Sequence, residues 1–238
     1  MFASSTAPGL SWRGITPPLA LTDYKVIAFD MDSTLISIET LDEMADLMGK
    51  KTEVAALTEA AMRGEIVDYK QSLRDRVALL AGMPEAALDE VYEQRLRINP
   101  GAEALIAACK AAGLTCLLVT GGFTCFTDRL RLRLGLDDVR ANVLEVTQGR
   151  LTGRLLPQAW GDICDGNEKR RKLLEVCASL GVGPERAIAV GDGANDLPMM
   201  RAAGLSVGYR AKPAVRQDAM VAIDEGGLDR LLELMGRK

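Results

Sequence analysis

The chain has 238 residues, 48% hydrophobic and 26% charged, with a net charge of −4 and a pI near 5.1. That composition builds one substantial core with a smaller appended unit, and it lacks the basic domain or stripe of a nucleic-acid binder. There is no histidine, so His-based triads and His metal sites are excluded, and the chemistry falls to carboxylates, Lys and Arg.

Residues 1–23, with Ser, Pro and Gly interspersed, read as a loosely ordered lead-in without the apolar stretch of a signal peptide. "KVIAF" (25–29) is a strand of the doubly buried kind found in parallel sheets. From Glu39 to Leu96 the apolar period becomes helical. Leu41, Met44, Ala45 and Met48 form one stripe, and Leu73, Val77 and Leu80 another, punctuated by Gly82. Met44, Met48 and Met62 are read as core, with the pocket rim as the alternative for Met62. A helical unit over 38–98 is therefore expected, inserted between residues 24–37 and 99–238 of one α/β core.

After "NPG" the pattern alternates. "AEALIAACKAAG" is helix, "LTCLLVT" strand and "FTDRLRLRLGL" helix, and "ANVLEVTQGRLTGRLL" is a hairpin about "QG". "EKRRKLLEVCASLG" is helix, "AIAVG" strand, "NDLPMMRAAG" helix, "LSVGY" strand and "LDRLLELM" a final helix. The fold class is α/β: a doubly wound, Rossmann-like parallel sheet with a small α-helical cap and a β-hairpin insertion. Five cysteines (Cys109, Cys116, Cys125, Cys164, Cys177) form no CxxC pair and read as reduced core thiols. With no apolar run of the ~20 residues that span a bilayer, the expected location is cytoplasmic.

Ligands of open parallel sheets sit beyond the carboxyl ends of the strands. One end carries Asp30-Met31-Asp32-Ser33-Thr34, a second Thr120-Gly121-Gly122, and a third Gly191-Asp192-Gly193-Ala194-Asn195-Asp196, while Lys169 opens the helix after the hairpin. Two acids one residue apart at the end of a buried strand repel each other unless a positive charge is near. Asp30, Asp32 and Asp192 supply the hard oxygens that Mg²⁺ prefers. Asp30 is then placed to attack phosphorus, and Asp32 to act as general acid and base. Thr120, Gly121 and Lys169 can face phosphate oxygens.

"DMDST", "TGGFT", Lys169 and "GDGAND" resemble, in order, the four motifs of the haloacid dehalogenase-like phosphohydrolases. "ETLDEMADLMG", "EAAMRGEI", "SLRDRVALL" and "GDGANDLPMMRAAGLSVGYRAKP" resemble the phosphoserine phosphatase family within them, over about residues 24–225. The resemblance implies Asp30 as nucleophile, Asp32 as acid/base, and Asp30, the Met31 carbonyl and Asp192 as Mg²⁺ ligands. It implies Thr120, Gly121, Lys169 and Asn195 as phosphate and substrate contacts, with Asp196 supporting the metal region. Glu39 and Arg76 would grip the amino and carboxylate groups of phosphoserine. The expected function is Mg²⁺-dependent hydrolysis of L-phosphoserine, the last step of serine biosynthesis, by a monomer or homodimer with no nucleic-acid or membrane partner. The alternatives are phosphoryl transfer to homoserine or action on another small phosphometabolite, and, in another class, a non-catalytic phospho-ligand binder. Thr120 stands where the family has Ser, Tyr69 where it has Phe, and "GEIVDYKQSLR" is one residue longer than the common pattern.

Overall fold

The computed structural model describes residues 3–4, 8–63, 65 and 68–236. Among the described residues nine strands form one sheet: β1 (Ala3–Ser4), β2 (Leu10–Trp12), β3 (Val26–Phe29), β4 (Thr115–Phe123), β5 (Asp138–Thr147), β6 (Arg150–Leu156), β7 (Ala187–Gly191), β8 (Leu205–Tyr209) and β9 (Val221–Ile223). Their order is β1-β2-β9-β8-β7-β3-β4-β5-β6. β9, β8, β7, β3, β4 and β5 run parallel, and β2 and β6 are antiparallel to their neighbours. This is the expected doubly wound sheet.

Successive strand residues face opposite sides, and both sides are covered. Val26 and Ala28 pack with Leu117, Val119, Ala187 and Ala189 on one face, together with Leu173, Val176, Met199 and Met200. Those last four come from α7 (Gly166–Ser179) and α8 (Leu197–Ala202). Ile27 and Phe29 pack with Cys116, Leu118, Ile188 and Val190 on the other face, with Leu105 and Ile106 of α5 (Ala102–Ala111) and Phe126 and Leu130 of α6 (Thr124–Leu134). With both faces dry, β3 has no polar position until it ends at Asp30.

The helical segment comprises α1 (Thr40–Leu47), α2 (Lys51–Arg63), α3 (Tyr69–Ala78) and α4 (Ala87–Glu90), the last continuing as a wider turn over Val91–Arg95. Leu41, Met44, Ala45, Leu73, Val77 and Leu80 are buried as the periodicity requires. The segment leaves and rejoins the sheet through a narrow neck. Ser37 N–H donates to Arg97 O (2.9 Å), Asn99 N–H to Leu35 O (2.9 Å), and the buried Asn99 Nδ2 to Thr34 O and Ile36 O. Ionic contacts join the segment's outer edge to the sheet unit: Lys212 to Glu59 (2.7 Å), and Lys70 and Arg74 to Asp162 (2.8 and 2.6 Å). The side chain of Met62, and residues 64, 66 and 67 of the lengthened segment, lie outside the described residues.

The hairpin turns at Gln148-Gly149, where both residues have positive φ (51° and 70°), as a two-residue type I′ connection requires. Three features depart from expectation. Residues 8–23 are no loose lead-in: β2 pairs with β9 and buries Leu10 to 1% exposure. The final helix, Leu228–Leu234, is wound as 3₁₀. A short helix α9 (Pro213–Asp218) and the strand β9 went unread, because each is too short to show a period.

Truncating Leu10 to Ala should cost about 2–4 kcal/mol in urea unfolding, since it removes a fully buried side chain at a sheet edge. A change under about 0.5 kcal/mol would restore the loose lead-in.

Candidate active site

Asp30 follows β3 directly, and its N–H is held by Val190 O (3.0 Å). The chain then turns through Met31–Leu35, with Ser33 forced to φ 56°, a left-handed conformation that costs a non-glycine residue about 1–2 kcal/mol. The turn sends Ser33 Oγ to Glu39 Oε1 (2.7 Å) and Thr34 Oγ1 to Asp192 Oδ1 (3.1 Å). One strained turn thus ties the Asp30 loop to the helical segment and to the end of β7.

Lys169, fully buried in the first turn of α7, donates to Asp30 Oδ1 (2.5 Å) and Asp196 Oδ1 (2.7 Å). Asp165 caps that helix by accepting Glu168 N–H (2.8 Å). Gly166 lies so close to the Asn195 carbonyl that a Cβ there would stand 2.7 Å from it. Asp196 has both oxygens committed, Oδ1 to Lys169 and Oδ2 to the N–H groups of Asp192 and Gly193 (3.1 Å each). It is the brace of the loop after β7.

Carboxylate oxygens of Asp30, Asp192 and Asp196 lie within 4.8 Å of one another, a cluster able to hold a metal ion. Asp32, grouped with Asp30 and Asp192 as a ligand on sequence grounds, is not in this trio: its Oδ1 accepts the N–H of Thr40 (2.9 Å). Spacing in the chain gave both acids the same standing, and the turn separates them.

Charge in the cluster is one-sided. Burial, with Asp196 adding to it, pushes the Asp30 carboxyl up to about 6 despite Lys169. Burial and the charges of Glu39 and Asp30 hold Asp32 well above its ordinary value, and burial with Asp196 and Asp30 does the same to Asp192. Burial lifts Glu39 to about 7 against its bond from Ser33. Burial alone would lower Lys169, but Asp196 and Asp30 outweigh it and raise it. One ammonium does not balance these acids, and their hard oxygens suit a divalent cation.

The carboxyl end of β4 forms the opposite wall. Thr120 Oγ1 accepts Gly122 N–H (2.9 Å), and Asn142 holds the Gly121 carbonyl (2.8 Å) while accepting Cys164 N–H (2.8 Å). A Cβ on Gly121 would strike the Tyr69 hydroxyl, and one on Gly122 would reach 3.0 Å from Asp32, so glycine is what permits this approach. Asp30, Asp32, Glu39, Tyr69, Arg76, Thr120, Gly121 and Asn195 line one cavity of about 30 Å³. Lys169, Asp192 and Asp196 back Asp30. All ten candidate site residues therefore converge. Arg76 Nη2 and Asn195 Oδ1 are buried on the wall without a partner among the described residues. Thr34, Asn99 and Asn142 were missed; Thr34 sits inside the first motif, but the other two carry no local signal.

Residues 27–201 match the family model of the haloacid dehalogenase-like hydrolases. The chain belongs to this family. A phosphoserine phosphatase of Polaromonas sp. is 66% identical over 235 residues, 99% of this chain and 100% of that protein. A solved phospho-aspartyl intermediate analogue of a phosphoserine phosphatase superposes with a TM-score of 0.84 at 36% identity, over 90% of this chain and 99% of that one. A substrate-bound phosphoserine phosphatase complex superposes at 0.83, also at 36% identity, over 90% and 99%. No helix among the described residues of this hydrolase is long and apolar enough to cross a membrane.

Carboxyls whose folded pKa is raised favour the folded state below their unfolded values, 3.8 for Asp30 and 4.5 for Glu39, and lose that contribution as pH rises through about 6 and about 7. In EDTA, the cluster should therefore lower stability progressively across that window. Added Mg²⁺ should raise Tm more at about pH 8 than at about pH 5, as linkage to the charged form requires. An equal shift at both would refute the cation's role in balancing these acids.

Proposed function

We propose that this chain is a Mg²⁺-dependent phosphatase that hydrolyses L-phosphoserine to L-serine and phosphate through an aspartyl-phosphate, as the last step of serine biosynthesis. The observation that carries this reading is the polarity of this cavity. One end presents Asp30, Asp32 and the Thr120–Gly121 turn; the other presents Glu39 and Arg76, with Nη2 of Arg76 unpartnered. A phosphate ester needs the first set, and a zwitterionic amino acid needs one anion and one planar cation.

In this reading an Asp30 oxygen bonds to phosphorus as the bond from phosphorus to the serine oxygen breaks. Asp32 gives a proton to the departing oxygen, then takes one from the water that cleaves the aspartyl-phosphate and returns Asp30 to carboxylate. Lys169 holds Asp30 in position and places positive charge near the transferring oxygens. Asp30, Asp192 and the Met31 carbonyl would hold Mg²⁺, which supplies further positive charge to the phosphoryl oxygens and the crowded acids. Glu39 and Arg76 fix the amino and carboxylate groups, and Thr120, Gly121 and Asn195 fix the phosphate. Residues 38–98 act as a cap that excludes bulk water and opens at the neck. The small-molecule substrate and the five cysteines, none in a disulfide, accord with a cytoplasmic enzyme.

Phosphate release from L-phosphoserine, O-phosphoethanolamine, glycerol 3-phosphate and phosphothreonine, with Mg²⁺ or EDTA, tests the reading. L-phosphoserine should be strongly preferred, and EDTA should abolish release. Added homoserine should yield no phosphohomoserine. Asp30→Asn should lower kcat by roughly 10⁴-fold or more, as loss of a nucleophile does. Equal turnover of all four esters would remove the substrate assignment, and an active Asp30→Asn would remove the mechanism.

A further inference from the structure

Arg76 is 2% exposed, yet no carboxylate pairs with it among the described residues. Its Nε donates to Ser72 O in its own helix (3.2 Å), its Nη1 donates to Thr58 Oγ1 (3.0 Å), and its Nη2 has no partner. A buried guanidinium without a counter-ion is costly, so the arrangement calls for explanation. Thr58, 3% exposed in α2, donates its hydroxyl to Asp42 Oδ1 in α1 at 2.6 Å. A threonine hydroxyl has one proton. With that proton given to Asp42, Thr58 faces Arg76 only as an acceptor. Asp42 is the carboxylate poised to neutralise Arg76, and Thr58 stands between them.

We propose that Thr58, held by Asp42, is the positioning residue that sets the cavity's carboxylate specificity: it fixes Nη1 of Arg76, keeps Asp42 off the guanidinium, and so leaves Nη2 free for the substrate's carboxylate. The inference rests on the phosphoserine reading above and adds to it the device that keeps Arg76 available. Three helices meet in it: Asp42 on α1, Thr58 on α2 and Arg76 on α3. The specificity element is therefore assembled only when those helices are packed together. Burial raises the Asp42 carboxyl, while the Thr58 bond and the nearby Arg76 oppose it. Removing the hydroxyl would let Asp42 pair directly with Arg76 and fill its donors internally.

The test compares L-phosphoserine with O-phosphoethanolamine, which carries the phosphate and amine but no carboxylate, in the intact protein and in its Thr58→Val and Thr58→Ser variants. Thr58→Val should lower the ratio of kcat/KM for L-phosphoserine over phosphoethanolamine by about tenfold or more, mainly through KM, as loss of a ground-state contact does. Thr58→Ser, which keeps the hydroxyl, should restore most of that ratio. Turnover of phosphoethanolamine reports that each variant is folded with its reacting groups in place. Equal loss on both substrates would make Thr58 a packing residue, and an unchanged ratio would give it no part in specificity; either result overturns the proposal while leaving the phosphoserine reading intact. If the unaltered protein itself fails to prefer L-phosphoserine, the reading falls, and this inference with it.

Discussion

Five carboxylates share the site while the buried ammonium of Lys169 touches only two of them, and most of the site's architecture answers to that imbalance. Asp30, Asp32, Glu39, Asp192 and Asp196 meet at the ends of β3 and β7, and Lys169 is the cation in direct contact with two of them. Burying a charge with no partner costs several kcal/mol, so Lys169 must be delivered accurately. Its helix is pinned for the purpose. Asp165 caps it, and Glu168, beside Lys169, is clamped by Arg140 (2.6 Å) and Arg171 (2.7 Å). Arg140 also stacks over the ring of Trp160. The remaining negative charge suits the cluster to a cation.

The other end of the cavity obeys a different rule. There the problem is to keep one cation unspent. Arg76 is buried among α1, α2 and α3, and each potential neutraliser is diverted: Asp42 bonds Thr58, and Glu39 bonds Ser33. The two ends meet through the Met31–Leu35 turn, whose Ser33 and Thr34 reach opposite ways. The ionic contacts that join the helical segment to the sheet unit are partly exposed, and such pairs are worth little individually. They guide where the segment rests without locking it there, while the neck at Asn99 keeps it registered.

How much of this was legible in the chain depended on how local the cause was. Asp30, Asp192, Thr120 and Lys169 could be read because each follows from one rule: polar groups at the end of a dry parallel strand, or at the start of the helix facing it. The hairpin was legible from two residues, Gln148 and Gly149. Asp32's separation from Asp30, Asp192 and Asp196 was not, because it follows from a left-handed Ser33 that no propensity favours. Asn99 and Asn142 act through carbonyls far away in the chain, and Thr58 acts through side chains on two other helices. β2 was hidden for an energetic reason: Leu10–Trp12 is a strand only because β9 offers it an edge.

Consider last the position of β3. It lies in the middle of the sheet, yet it precedes both of its neighbours in the chain, which start at Thr115 and Ala187. Until residue 187 has left the ribosome, an entirely apolar strand lacks one neighbour, and before Thr115 it lacks both. Such long-range pairing slows folding and exposes sticky edges in the meantime. The intervening helical segment, whose contacts are mostly local, is the part able to fold while the chain waits. The insertion that shapes the cavity in the finished protein also occupies the interval during which its central strand is most open to capture by other chains.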